Sequence, residues 1–295
     1  MRRILLLGKS GFIGKNLYEY LTGSDGEYVI DAPGRAELNI LDEDSVKEYL
    51  SVNSYDVVIH AAICNPVRES VIITNELEQD LRGFYNFAKY HYLYGKMLYF
   101  GSGAEYDKSR NISCVTEMDV NHSIPKTNYG LAKYIIGKSI ECSDNIYNLR
   151  VFGLFGKYEN WRTTFISGAC CKALKGFPIT IRQNVYFDYM YIDDFCKIVE
   201  WFIKNEAKHH TYNMSSGKRI DLVSIARIIN SLVGNAVPIY VCKDGLGNEY
   251  TASDARLRKE VTKSYAINIR DAIKDLLSYY SEIQDNIDNY YLLYQ

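Results

Sequence analysis

Proline is scarce, at five residues in 295, and tryptophan scarcer still, at two. So few prolines exclude a Pro-rich linker, and no low-complexity tract or internal repeat interrupts the chain either. No apolar run approaches the roughly 18 residues that a membrane-spanning helix needs. The apolar run at the start, Ile4 to Leu7 behind Met1-Arg2-Arg3, is also too short for the core of a secretory signal. An excess of one charge is missing too: 34 Lys and Arg against 36 Asp and Glu leave a formal net charge of −2. No strong field therefore favours nucleic acid or an anionic membrane. The seven cysteines (Cys64, Cys114, Cys142, Cys170, Cys171, Cys196, Cys242) form no C-x-x-C pair. Odd and scattered, they read as free buried thiols in a reducing compartment, and no metal site is expected. The cytoplasm is the expected address. Tyrosine, at 27 residues, is the one abundance; compositional drift is the plainer reading, a stacking surface for bases or sugars the sharper one.

The first two-thirds of the chain alternates short apolar runs with helical patterns. Strands are expected at 3–7, 28–30, 57–60, 97–100 and 146–151, with helices at 12–21, 43–50, 75–94 and 128–142 between them. Strands separated by helices of this length imply right-handed crossovers and an α/β fold with a parallel, doubly wound, Rossmann-like sheet. Such sheets bind ligands at the carboxyl ends of their strands. Beyond about Gly156 the rhythm changes, with helices expected at 160–174, 194–204, 221–232 and over much of 267–293. Short strands are expected at 178–181, 189–192 and 237–241, and Asp193 is expected to cap the helix after it. The division this suggests is a dinucleotide-binding domain over 1–156, with about 185–214 added. A smaller C-terminal α/β substrate lobe would take 157–184 and 215–295.

Directly after the first strand comes Gly8-Lys9-Ser10-Gly11-Phe12-Ile13-Gly14. Glycines three apart allow a tight turn, close approach of backbone N–H groups to a pyrophosphate, and close packing of helix on strand. A glycine triplet alone is weak; one that follows a strand and opens a helix is a dinucleotide site. The spacing G-x-x-G-F-I-G resembles the fingerprint of the extended short-chain dehydrogenase/reductase family, of the NAD-dependent epimerase/dehydratase type. His60-Ala61-Ala62 matches the H-A-A stretch that lines the adenine and ribose side in that family; without the family, His60 reads as a packed strand-end residue.

The choice of nicotinamide turns on two residues. Asp31 ends the second strand, where a carboxylate accepts hydrogen bonds from the ribose diol and repels a 2′-phosphate, favouring NAD(H). The segment from Gly34 and Arg35 to Asp42 is similar to that of GDP-fucose synthases, in which an arginine matching Arg35 grips the 2′-phosphate. That resemblance tips the expectation to NADP(H), with NAD(H) the alternative, and it puts Asp42 beside the adenine.

Tyr129-Gly130-Leu131-Ala132-Lys133 is a Y-x-x-x-K motif whose i, i+4 spacing sets both side chains on one helix face. A free phenol titrates near pH 10, and an ammonium beside it brings that value toward the working range. Ser102, ending the fourth strand in Gly101-Ser102-Gly103-Ala104-Glu105-Tyr106, stands four before a tyrosine, as the catalytic serine or threonine of the family does. The resemblance therefore implies a Ser102–Tyr129–Lys133 triad, with Tyr129 and Lys133 also against the cofactor and Ser102 and Gly103 against the substrate. A serine that merely caps a turn is the bland alternative. Two departures stand out: Gly153 replaces the asparagine of the R-x-x-N-x-x-G stretch that begins at Arg150, and Phe187 replaces the arginine before Asp188.

Four activities compete. A nucleotide-sugar 4,6-dehydratase carries Asp-Glu after its catalytic threonine; Gly103 and Ala104 stand there, and Glu105 comes one place late. A C4 epimerase uses the triad with tightly held NAD. A 4-keto reductase, of the kind exemplified by GDP-fucose synthase and dTDP-4-dehydrorhamnose reductase, uses it once with exchangeable NAD(P)H. A dinucleotide-sensing regulator would typically lack the tyrosine or the lysine. The Arg35 segment and the short chain favour the reductase, in deoxysugar or cell-surface polysaccharide biosynthesis, with the epimerase second. Its nucleotide-sugar substrate is expected against Asn160, Trp161, Arg162 and Arg182, and a homodimer through 75–94 and 128–142 is usual for the family.

Overall fold

Four consecutive leucines and isoleucines in β1 (Arg2–Leu7) are all buried because both faces of the strand are covered: Ile4 and Leu6 face one core, Leu5 and Leu7 the other. The computed structural model describes residues 1–24, 26–63, 75–262 and 267–293, so Cys64 lies outside the described residues. Of the other cysteines, all free thiols, Cys170, Cys171 and Cys196 are buried as expected, whereas Cys114, Cys142 and Cys242 are exposed. After β1 come α1 (Phe12–Thr22), β2 (Tyr28–Asp31), α2 (Glu43–Val52), β3 (Tyr55–His60), α3 (Glu76–Ala88) and β4 (Tyr94–Ser102). Then follow β5 (Ile112–Val115), α4 (Asn128–Ile140), β6 (Ile146–Val151), β7 (Gly153–Phe155), α5 (Phe165–Leu174), β8 (Ile179–Asn184) and β9 (Tyr186–Tyr191). The chain continues through α6 (Ile192–Lys204), β10 (Thr211–Met214), β11 (Arg219–Asp221), α7 (Leu222–Leu232) and β12 (Ile239–Leu246). It ends with β13 (Tyr250–Ala252), α8 (Ala255–Glu260), α9 (Ile269–Glu282) and α10 (Asn289–Leu293).

Six strands pair in parallel in the order β10-β6-β4-β3-β1-β2, the doubly wound sheet that the alternation implies. One face carries the core shared by Leu17 of α1 and Phe195 and Val199 of α6; the other carries Val46 of α2, Phe84 and Phe87 of α3, and Ile136 of α4. Beyond the carboxyl ends of these strands a second sheet runs β11-β9-β13-β5, with β7 beside β9, and β8 pairs with β12. No helix among the described residues is long and apolar enough to cross a membrane.

Several boundaries differ from the expectation, each for a visible reason. The helix expected to reach residue 94 stops at Ala88, passes through a 3₁₀ turn (His91–Leu93), and yields to β4 at Tyr94. Asn145 Nδ2 donates to the carbonyls of His91, Tyr94 and Gly95, groups that a continuing helix would use internally. The helix expected from residue 160 begins at Phe165, because Asn160 folds the chain into a turn: its Oδ1 accepts from Arg162 N and its carbonyl from Thr163 N. Asp193 does not cap α6. Tyr191 occupies the N-cap, and Asp193 sits in the first turn, where its charge complements the helix dipole. Strands β5, β11 and β13 escaped the reading because they are three or four residues long and are held by partners distant in sequence.

Candidate active site

The glycine loop closes as the spacing requires. Gly8 adopts φ +82°, Gly11 N–H donates to the Gly8 carbonyl at 3.0 Å, and Gly11 opens α1 without a side-chain cap. A Cβ on Gly14 would lie 2.1 Å from the Gly8 oxygen, and one on Gly8 would lie 2.7 Å from the Ala61 oxygen. Only glycine lets α1 approach this closely, so its first-turn N–H groups face the carboxyl end of the sheet, the cradle a pyrophosphate needs. Ser10 is exposed on the loop; Phe12 and Ile13 are half-buried in the first turn and pack on the core.

At the positions expected to meet adenosine, three polar side chains also make contacts within the fold. Asp31 Oδ2 accepts hydrogen bonds from Tyr55 of β3 and, at 2.8 Å, from Tyr49 of α2. Burial, and then the bond to Asp31, pushes Tyr49 up to about 12, and Tyr55 moves up as well, so both phenols stay protonated donors. One oxygen of the carboxylate is therefore occupied from within the fold. Asp42 Oδ1 accepts from Asp44 N and Ser45 N as the N-cap of α2. His60 is buried against Phe87 and Tyr99, its Nε2 3.3 Å from the Gly83 carbonyl, and burial pulls it down to about 4. It is neutral at working pH. Arg35 is exposed and joins His60, Ala62 and Asp80 in lining one cleft.

Ser102, Tyr129 and Lys133 gather where β4 meets α4. Ser102 ends β4, paired with Val151 of β6, and caps a 3₁₀ turn (Gly103–Tyr106); its Oγ accepts from Ala104 N at 3.1 Å. With that lone pair engaged, the hydroxyl hydrogen has no protein acceptor among the described residues and is available to a ligand. Gly103 lies beneath the Tyr250 hydroxyl and the Phe152 ring, with no room for a side chain. Thr127 caps α4 through Gly130 N, which places Tyr129, half-buried, in the first turn. One turn on, Lys133 is 2% exposed; its Nζ donates to Tyr99 Oη and to the Phe100 carbonyl, each at 2.8 Å, and lies 5.8 Å from the Tyr129 ring centroid. Burial lowers the lysine to about 8, with Asp80 and Glu105 acting against it.

Glu105 is not a spare acid at this site. It is fully buried, its Oε2 2.5 Å from Arg150 Nε, and its Oε1 accepts the Ser102 N–H at 3.1 Å. Gly153, in place of asparagine, has a structural cause: a Cβ there would lie 2.6 Å from the Asp188 carbonyl oxygen and 2.8 Å from the Tyr189 ring. Phe187 stacks on Tyr189 and packs on Tyr250, so an aromatic wall occupies the region expected of the missing arginine.

A cavity of about 270 Å³ opens between α5 and β8, lined by Arg162, Thr164, Phe165, Lys172 and Thr180 among others. Of the four residues expected to hold substrate, only Arg162 lines it. Asn160 is spent on the turn, and Trp161 packs with Tyr291, over which the Arg162 guanidinium lies 4.1 Å from the ring centroid. Arg182 is exposed on β8 and outside the cavity wall, which Ile179 and Thr180 form. Sequence reasoning missed Lys172, 5% exposed with Nζ 2.7 Å from Thr180 Oγ1. A lone cation inside the apolar run of α5 was the available signal.

A glycine cradle, a serine at a strand end and a tyrosine–lysine pair, all at the carboxyl side of one parallel sheet, make up a candidate site of the NAD(P)-dependent oxidoreductase type. The chain belongs to the NAD dependent epimerase/dehydratase family, whose model matches residues 4–215. It is 22% identical to GDP-L-colitose synthase of Yersinia pseudotuberculosis, over 96% of this chain and 99% of that protein. It is 23% identical to ADP-L-glycero-D-manno-heptose-6-epimerase of Brachyspira hyodysenteriae, over 97% and 99% respectively. Its fold matches the crystal structure of a GDP-L-fucose synthetase from Naegleria fowleri bound to NADP, with a TM-score of 0.83 at 14% identity, covering 96% of this chain and 94% of that one.

Proposed function

We propose that this chain is an NADPH-dependent reductase of the C4 keto group of a nucleotide-activated 6-deoxy sugar. The observation that carries the reading is the contrast between Arg35, free at the adenosine cleft, and Asp31, tied by two tyrosines. A guanidinium suits a 2′-phosphate, and a carboxylate turned to other donors offers it less repulsion. The glycine cradle of Gly8, Gly11 and Gly14 would hold the pyrophosphate, with Lys133 toward the nicotinamide ribose. Bound there, the reduced nicotinamide supplies hydride to C4.

The side chains supply the rest. Ser102 donates its free hydroxyl hydrogen to the C4 oxygen, holding it while negative charge develops. Tyr129 delivers the proton to that oxygen as general acid, and Lys133 eases that transfer by stabilising the phenolate left behind. The nucleotide would occupy the cavity between α5 and β8, where Arg162 and Lys172 offer positive charge to phosphates. Dehydration is disfavoured because Glu105, which stands one place late for a dehydratase acid, is sealed against Arg150. The relation to a heptose 6-epimerase keeps an epimerase as the second reading.

Cofactor accounting separates the two. Protein purified without added dinucleotide should exchange NADP(H) readily and oxidise one NADPH per molecule of a nucleotide-linked 4-keto-6-deoxy sugar, read as lost absorbance of the reduced nicotinamide. Retention of tightly bound NAD, with sugars interconverted and no net change in cofactor, would establish the epimerase instead.

A further inference from the structure

Tyr99 lies on β4, three residues before Ser102, and no motif marks it. It is 2% exposed, with its ring against Phe84 and His60 at centroid distances of 5.1 and 5.6 Å. Its hydroxyl oxygen accepts the 2.8 Å bond from Lys133 Nζ, and the ammonium lies 4.4 Å from the centroid of its ring. The Phe100 carbonyl, next along the same strand, takes a second ammonium hydrogen. Adjacent residues of one strand, both paired with β6, thus hold two of the three N–H bonds of Lys133.

We propose that Tyr99 is a positioning residue for the Tyr129–Lys133 pair: its hydroxyl fixes the lysine beneath Tyr129 and keeps it charged. This rests on the assignment of that pair made above.

The charge needs such help because burial opposes it. Burial draws Lys133 down to about 8, so each acceptor bears on whether it is an ammonium at working pH. The groups facing it can be named element by element. Asp80 on α3 and Glu105 on the 3₁₀ turn favour the charge. His60 on β3 is neutral, and Tyr129 on α4 is the partner to be tuned. Tyr99 is itself pushed well above the ordinary phenol value by burial, so it persists as a neutral hydroxyl whose oxygen accepts.

The sign of its effect follows. In the protonated state the Lys133 ammonium donates to Tyr99 Oη at 2.8 Å. Deleting the Tyr99 hydroxyl destabilises the ammonium, which makes phenol with neutral amine easier to reach. Loss of the Lys133 proton should therefore move to lower pH.

Lysine labelled with 13C at Cε, with Lys133 assigned from a Lys133→Arg spectrum, reports the titration directly and needs no substrate. Tyr99→Phe should lower the Lys133 midpoint by about one pH unit, and the alkaline limb of kcat/KM should move with it. An unchanged or raised midpoint in a natively folded variant overturns the proposal. So does a variant that cannot fold, since the hydroxyl would then serve structure alone. Failure of the underlying assignment looks different: Tyr129→Phe would keep wild-type turnover instead of losing roughly 10²-fold or more, whatever Lys133 does.

Discussion

Removing one charge from the buried Glu105–Arg150 pair should cost this protein a large share of its stability. Both side chains are essentially inaccessible, at 0% exposure. Glu105 accepts from Arg150 Nε at 2.5 Å, from Asn148 Nδ2 at 3.1 Å and from Ser102 N at 3.1 Å, and Arg150 Nη1 reaches Tyr106 Oη at 3.2 Å. Burial opposes the charge on Arg150, but Glu105 and Tyr106 outweigh it and push the guanidinium further up, so it remains a cation. Glu105→Gln keeps the shape and deletes the counter-charge. Breaking a buried pair this way costs about 3–5 kcal/mol. The low end applies here, because the amide oxygen still accepts one bond and Glu141 Oε1 lies 4.0 Å from Arg150 Nη2. At about 2–4 °C per kcal/mol for a domain of this size, a loss of about 3 kcal/mol lowers Tm by about 6–12 °C. Thermal melts followed by circular dichroism measure it, and adding Arg150→Met should recover a good part, since no charge then stays buried alone. A Tm within about 2 °C of wild type for the single variant would refute the account.

Two further outcomes follow from individual side chains. Arg35→Ala should weaken NADPH by about 1.5–3 kcal/mol, the worth of a charged hydrogen bond, and leave NADH nearly unchanged in fluorescence titrations; equal losses would remove Arg35 from the 2′-phosphate. Asp188, buried, is raised to about 6, while Ser216 N and Oγ donate to its Oδ1 and act against the shift. Its unfolded value is about 3.9, so the folded state holds the proton longer and stability contributed by the protonated form is lost as pH rises from about 4 through 6. Tm of Asp188→Asn relative to wild type should therefore climb across that window and level off above it; a flat difference would show that Asp188 ionises normally.

The parts of the site that could be read from sequence are those written locally. Gly8 to Gly14 encode a turn, a close approach and a helix start within seven residues, and Tyr129 and Lys133 encode one helix face. The parallel, doubly wound sheet was legible in the alternation of strands and helices, because both faces of β1 and β3 are covered and every residue of their centres is apolar, whereas the order of the strands comes from the structure. What could not be read depends on partners far along the chain. Nothing near Asp31 in the sequence shows that Tyr49 and Tyr55 donate to its Oδ2. Asn160 carries no sequence signal that its side chain and carbonyl close the turn before α5. Tyr99 and Lys172 carry no local signal beyond being a phenol and a cation in apolar runs, and β7 and β9 alone explain why residue 153 has no side chain.

These internal claims on polar groups narrow the chemistry that the proposed reading has to explain. Around Ser102 the chain offers Gly103 and Ala104, which carry no proton, and Glu105, whose oxygens are shared among Arg150, Asn148 and the Ser102 amide. His60 is neutral and directed at Gly83. In the proposed reading Tyr129 is the proton-transferring group and Lys133 tunes it, while Tyr99 and Phe100 of β4 accept from Lys133. A site with one such group suits reactions in which proton and hydride move on the same C–O unit. Reduction makes that transfer once, and C4 epimerisation makes it in both directions. Elimination of water from C6 would need a second acid at a second carbon, and the glutamate placed to tempt that reading is the residue that the fold spends on holding the Ser102 turn in place.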